Sequence, residues 1–204
     1  MSILIVDYNL SNLGSIRRSL EECGVSPVVS EDPGKLKTAS RIVLPGVGSF
    51  TDGMANLWKM GWATALQEAV REDGIPLMGI CLGMQLLAEE GDEGGTVGGL
   101  GLIPGEVRRF VPGDSSTRIP HIGWNEVWKA SRNDLFEGIP DGSDFYFVHS
   151  YHFIPRHKEH ILATTPYCGD FVSAIGMGNV FGVQFHPEKS GRPGFQILRN
   201  FLKL

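Results

Sequence analysis

The apolar positions in the first half of the chain fall into short runs separated by stretches of helical spacing. Ile3–Val6 is an unbroken apolar run of strand length. Leu13, Ile16 and Leu20 then recur at helical intervals across Leu13–Cys23, and Gly24 supplies a stop. Pro27–Val29 and Arg41–Leu44 read as further strands. Met54–Arg71 reads as one long helical stretch ending near Gly74, Pro76–Ile80 as a buried strand, and Leu82–Glu89 as the next helix. Alternation of this kind predicts right-handed crossovers and a parallel sheet covered by helices on both faces.

The glycine-rich stretch Gly91–Gly101 punctuates the pattern, and the period changes beyond it. Glu106–Phe110, Ile122–Trp128, Phe145–His149, His160–Thr165, Phe171–Gly176 and Val180–Phe185 are short strand candidates. Their spacing favours antiparallel hairpins, and Gly178-Asn179 marks a turn between the last two. Phe195–Leu202 reads as a closing helix. No internal repeat or linker divides residues 1–204, so one domain is expected.

Composition narrows the function classes. A 204-residue chain with 42% hydrophobic and 20% charged residues has the profile of a globular domain with a real core. Its formal net charge of -5, with no Lys/Arg cluster, argues against nucleic acid as a partner. The opening strand has neither a basic region before it nor a cleavage site after it, so it is not read as a signal peptide. No apolar run approaches the ~20 residues that a membrane span needs. Cys23, Cys81 and Cys168 are an odd, widely spaced set that suits a reducing cytoplasm better than a disulfide framework. None forms a Cys-x-x-Cys pair, and no metal or other cofactor is expected.

Three segments carry candidate chemistry. In Pro76–Leu87 a strand leads into Cys81 and a helix leaves it, with Gly79 and Gly83 flanking the cysteine. Small neighbours permit a tight turn with a side chain projecting at its tip. A helix N-terminus favours the thiolate, the Leu82 N–H would face an oxyanion formed at Cys81, and Gln85 would lie on the same side one turn later. Alone, Cys81 reads rather as a small buried hydrophobe, and the flanking glycines at a strand-to-helix junction weigh against that. In Val183–Ser190, His186 and Glu188 stand two apart around Pro187, which offers an imidazole base and a carboxylate to orient it. The bland alternative is an exposed strand-end histidine. In Val43–Phe50, a strand ends in Pro45-Gly46-Val47-Gly48, where backbone N–H groups could reorient by a peptide flip and complete an oxyanion hole. Thr51 stands where a dinucleotide fingerprint would require glycine. Of the other histidines, His157 and His160 read as solvated, His149 and His152 as packing residues in an aromatic strand, and His121 as a neighbour of the apolar Ile122–Trp124.

In this order, the three segments resemble the class I (triad) glutamine amidotransferases over essentially the whole chain. More narrowly, the chain resembles the glutaminase subunits of imidazole glycerol phosphate synthase. That match rests on Asp7-Tyr8 through Asn12-Leu13, Pro45–Phe50, Gly79–Gln85, Pro120–Asn125, Tyr146–Tyr151 and Phe185–Ser190. The resemblance implies a flavodoxin-like α/β fold, with a central mixed, mainly parallel sheet and a small antiparallel one. It implies Cys81 as nucleophile, His186 as general base then acid, and Glu188 as orienter. Oxyanion stabilisation would come from Gly46, Val47, Gly48 and Leu82, and the glutamine backbone groups would be held by Gly48, Gln85, Ser150 and Tyr151. Ammonia would pass to a (β/α)8-barrel cyclase in a heterodimer, with Asn12, Trp124, Tyr146 and Lys189 at the interface. Two positions depart from the family pattern: the Asp7–Asn12 loop lacks its usual central glycine, and Gly191 stands where glutamine is common. Both lie near the expected partner face. The alternative is the same chemistry feeding a different synthase, such as one of bacterial surface-sugar biosynthesis.

Overall fold

The computed structural model describes residues 2–113 and 117–204; Met1 and 114–116 lie outside it. Nine strands form one sheet. The first five, in spatial order, are β2 (Val28–Ser30), β1 (Ile3–Val6), β3 (Arg41–Gly46), β4 (Leu77–Cys81) and β13 (Val180–Val183), all parallel. The same sheet continues antiparallel through β12 (Asp170–Met177), β11 (Ile161–Pro166), β8 (His121–Lys129) and β9 (Ser143–His149). A smaller sheet orders β10 (Tyr151–Pro155), β7 (Gly105–Arg109), β5 (Glu90–Gly91) and β6 (Val97–Gly98), antiparallel except for the β5–β7 pair.

The apolar strands have no solvent face because alternate residues feed two cores. Leu4, Val6, Ile42, Leu44 and Leu77 face one cluster, built with α2 (Phe50–Lys59), α3 (Trp62–Arg71) and α4 (Leu82–Gln85). Ile3, Ile5, Val43, Met78 and Ile80 face the other, built with α1 (Leu13–Glu22) and α5 (Gly191–Phe201). A period-two strand between two helical layers is continuously apolar for this reason.

Several expected boundaries shift, each with a local cause. The single helix expected over Met54–Arg71 is two helices. Gly61 takes φ +77 between them, and the Ser49 side chain caps α2 by accepting from the Asp52 N–H, so that helix starts earlier. The helix expected over Leu82–Glu89 stops after one turn. The Leu87 and Ala88 N–H groups tighten onto the Met84 and Gln85 carbonyls, the Glu89 N–H donates to the Gly105 carbonyl instead of Gln85, and the carbonyls of Leu86, Leu87 and Ala88 accept from Leu100, Leu102, Ile103 and Gly101. That exchange also brings order to the glycine-rich stretch, which contributes β5 and β6. The final helix begins at Gly191 rather than Phe195, with Pro193 tolerated in its first turn. The aromatic strand expected to hold both His149 and His152 is two strands, with β10 crossing to the smaller sheet. Among the described residues no helix is long and apolar enough to cross a membrane.

Gly61→Ala places a side chain where the backbone is left-handed. It is expected to cost about 1–2 kcal/mol, seen as a lower thermal midpoint with unchanged steady-state kinetics.

Candidate active site

The site forms where the parallel half of the sheet ends. β4 runs between β3 and β13 and delivers Cys81 at its carboxyl end, directly opposite Gly46 of β3. Cys81 adopts φ 56 and ψ -111, one of the few non-glycine residues with positive φ. Strain of this kind persists only where the surroundings over-determine it, and here they do. A Cβ on Gly83 would lie 1.8 Å from the Leu44 carbonyl oxygen, and one on Gly79 would lie 2.5 Å from the Gly83 carbonyl oxygen. A Cβ on Gly46 would sit 2.2 Å from Tyr8 Oη. The three glycines let three backbones close around the turn. Because α4 is a single turn, any help it gives a thiolate comes from local N–H groups rather than from a long helix dipole.

His186 follows β13 and is only 3% exposed. The chain here is not extended as expected: Pro187–Lys189 is a 3-10 turn with His186 at its cap. The two side chains still meet, with His186 Nδ1 2.8 Å from Glu188 Oε1. The His186 N–H donates to the Tyr146 carbonyl at 2.9 Å, and Ser190 Oγ–H donates to the His186 carbonyl at 2.6 Å, so the backbone is tied on both sides. With Nδ1 held by the carboxylate, Nε2 is left for Cys81. Burial alone would lower the His186 pKa, but the nearby Cys81 and the hydrogen-bonded Glu188, with the charges of both, outweigh it and push it up to about 10. The arrangement favours a proton resting on the imidazole and an orienting carboxylate behind it.

Cys81 and His186 open on a cavity of about 340 Å³, also lined by Val47, Gly48, Leu82, Gln85, Ser150 and Tyr151. The expected glutamine-holding and oxyanion residues therefore converge, with two qualifications. Gly46 lies beside the cavity rather than in its wall, in a crevice with Asn12, His186 and Glu188. The Val47 N–H does not face Cys81, because it donates to the Leu10 carbonyl at 2.7 Å.

Of the expected interface residues, three form one surface cluster. Trp124 is exposed and meets Tyr146 edge-on at 6.0 Å, and Lys189 Nζ lies 5.7 Å from the Tyr146 ring centre. Asn12 is also exposed, at the start of α1, next to the crevice behind His186 and Glu188.

Two groups escaped the sequence reading, one in the cavity wall and one buried behind it. Glu93 lines the cavity and caps α2 through the Phe50 N–H at 2.7 Å; burial raises its pKa, offset in part by that hydrogen bond. Nothing in a glycine-rich loop distinguishes one acidic residue from another. Gln184 is fully buried and its Nε2 lies 3.7 Å from Cys81 Sγ. Period-two spacing from His186 could have found it.

A comparison with known proteins decides the family. The profile of the class-I glutamine amidotransferases matches residues 4–204. The chain belongs to the class-I glutamine amidotransferases. Curated relatives of this amidotransferase include the imidazole glycerol phosphate synthase subunit HisH of Moorella thermoacetica, 50% identical over 99% of this chain and 94% of that one. The HisH subunit of Chlorobium chlorochromatii is 46% identical over 99% of this chain and 100% of that one. Among solved structures, PurLQS from Thermotoga maritima superposes with a TM-score of 0.75 over 99% of this chain and 97% of that one. At 22% identity that match speaks to the amidotransferase fold alone.

The raised His186 pKa makes a prediction about stability. A histidine held above its ordinary 6.5 contributes stability that is complete below that pH and is lost as the pH rises towards about 10. Glu188→Gln removes part of it. The gap in thermal midpoint between wild type and variant is expected to be widest just below pH 6.5, to shrink as the pH rises and to close in alkali, as followed by thermal unfolding across the range.

Proposed function

We propose that this chain is the glutaminase subunit of an imidazole glycerol phosphate synthase. It hydrolyses L-glutamine and passes ammonia to a (β/α)8-barrel cyclase, with which it forms a heterodimer in histidine biosynthesis. The observation that carries the reading is the Cys81–His186–Glu188 constellation at the floor of a cavity sized for a small ligand. Both relatives described above bear the synthase subunit's name, which favours this acceptor over a surface-sugar intermediate. The free thiol suits a reducing cytoplasm.

The chemistry follows from the positions. Cys81 Sγ, having given its proton to His186, attacks the side-chain amide carbon. His186 returns that proton to the departing nitrogen, which leaves as ammonia, and a glutamyl thioester remains. Water, deprotonated by His186, then attacks the thioester to release glutamate and the thiol. Glu188 holds the ring in one tautomer and stabilises the imidazolium. Gln85, Ser150, Tyr151 and Gly48 hold the amino-acid end of the substrate, and Glu93 complements its ammonium group. The oxyanion would be met by the Leu82 N–H and, after rotation of the Gly46–Val47 peptide away from Leu10, by the Val47 N–H. The resting hydrogen bond to Leu10 keeps this second donor away. Docking of the cyclase against Asn12, Trp124, Tyr146 and Lys189 is the event that would release it.

Two substitutions test the reading in the reconstituted complex, with glutamate release as the assay. Cys81→Ala is expected to lower kcat by about a thousandfold or more; retained turnover would end the mechanism. Glu93→Gln is expected to raise the KM for glutamine about tenfold with little change in kcat, since a charge-assisted hydrogen bond is worth ~1.5–3 kcal/mol.

A further inference from the structure

The two buried histidines outside the triad are part of a hydrogen-bonded chain that runs from strand β8 to the nucleophile. His121 and His149 stand directly opposite each other across the β8–β9 pair, 3% and 7% exposed. His121 Nδ1 lies 3.1 Å from His149 Nε2. On one side, Asn125 Nδ2 lies 3.2 Å from His121 Nε2. On the other, His149 Nδ1 lies 2.8 Å from the Tyr151 carbonyl oxygen. That oxygen also accepts from Gln85 Nε2 at 2.9 Å. The same Gln85 nitrogen donates to Gln184 Oε1 at 3.0 Å, and Gln184 Nε2 points at Cys81 Sγ.

Every proton in this chain can be assigned from its ends. A carbonyl oxygen only accepts, so His149 carries its proton on Nδ1 and its Nε2 must accept. His121 therefore donates from Nδ1, and its Nε2 accepts. Asn125 supplies the donor that this requires. Its orientation is set independently, because its Oδ1 accepts from the Glu126 N–H at 2.9 Å and its Nδ2 also donates to the Pro166 carbonyl at 3.1 Å. Reasoning inward from either end gives the same pair of tautomers. A proton added to the shared His121–His149 contact would set N–H against N–H. Both rings are accordingly neutral: burial lowers His149 to about 3 and His121 to about 4, with His152 and His186 adding repulsion at His149.

We propose that Asn125 and His121 are positioning residues for glutamine, acting through His149 to fix the Tyr151 carbonyl and Gln85 in the wall of the substrate cavity. The proposal rests on the glutaminase reading above. Neither Asn125 nor His121 lines that cavity, yet the two wall residues share an acceptor whose direction they set. The ribbon that carries the chain has a second face. Ile122 and Trp124 alternate with His121, Gly123 and Asn125 along β8, and both are exposed. A partner seated on that outer face would lie one strand thickness from the tautomer pair.

The test has two parts. In the free protein, nitrogen-15 imidazole NMR, with the two rings assigned by single substitution, is expected to show both neutral and protonated on Nδ1. A proton on Nε2 of His149 overturns the proposal, whatever the chain's activity. In the complex with the cyclase, His121→Phe keeps the aromatic packing on Phe147 and Tyr167 but removes both hydrogen bonds. It is expected to raise the KM for glutamine about tenfold, with kcat and the rate of Cys81 alkylation by iodoacetamide within about twofold of wild type. His121→Asn, which can return an amide donor to His149 Nε2, is expected to recover most of the loss. A folded His121→Phe protein with an unchanged KM overturns the proposal. A wild-type complex that does not hydrolyse glutamine overturns the glutaminase reading instead, and leaves the NMR result to judge the tautomers.

Discussion

The site depends on how closely three stretches of backbone approach one another around Cys81. The sulfur can stand at the carboxyl end of a central strand only because the chain turns sharply into α4 and lies against β3. No side chain fits between them: the Gly83 α-carbon faces the Leu44 carbonyl where a methyl group would overlap it. The unfavourable dihedrals of Cys81 are the local cost of that turn, on the order of 1–3 kcal/mol. They are sustained by the largely buried strands on either side, β3 and β13, which also lead to the Gly46–Gly48 segment and to His186. Cys81, the Gly46–Gly48 segment and His186 thus stand at or just beyond the carboxyl ends of three adjacent strands. The sheet fixes where the three segments emerge, and the bonds of His186 N–H to the Tyr146 carbonyl and of Val47 N–H to the Leu10 carbonyl fix the residues just beyond the strands.

The sheet's change of direction matters as much as its parallel half. Beyond β13 the strands run antiparallel and carry the site's far wall, with the Val148–Tyr151 segment at the end of β9 and the start of β10. The cavity sits over the seam, walled on one side by crossover connections and on the other by hairpins. The hairpin side ends in an edge ribbon with an aromatic outer surface, where Trp124, Tyr146 and Lys189 gather. The cavity wall and the exposed cluster share strand β9, whose end lines the one and whose Tyr146 belongs to the other.

Much of this was legible in the sequence because the signals were local. Strand–helix alternation, glycines at two-residue spacing around a cysteine, and a histidine and glutamate two apart all report on geometry within a few residues. The expected parallel strands, the elbow and the His186–Glu188 pair were found accordingly. What could not be read depends on distant partners. The Leu82 helix stops after one turn where a segment some fifteen residues downstream pairs with Leu86–Glu89 in place of the helical ladder. Glu93 reaches the cavity only because β5 and β6 fold the glycine-rich loop back over α2. His149 reads as a packing residue and His121 as a neighbour of the apolar Ile122–Trp124, and both are buried; their pairing required the β8–β9 register, which no local pattern in either strand specifies.

The Val47–Leu10 hydrogen bond sets a scale for leakage. A single exchanged backbone hydrogen bond is worth about 0.5–1.5 kcal/mol net, and about 1.4 kcal/mol shifts a two-state population tenfold. On the proposed reading, a latch of that size leaves several to some tens of per cent of molecules with the donor already turned inward. Tight silence in the unpartnered subunit therefore needs a second restraint besides this bond, and the rigid β3 backbone, buried on both faces, is where the rest of the barrier would reside.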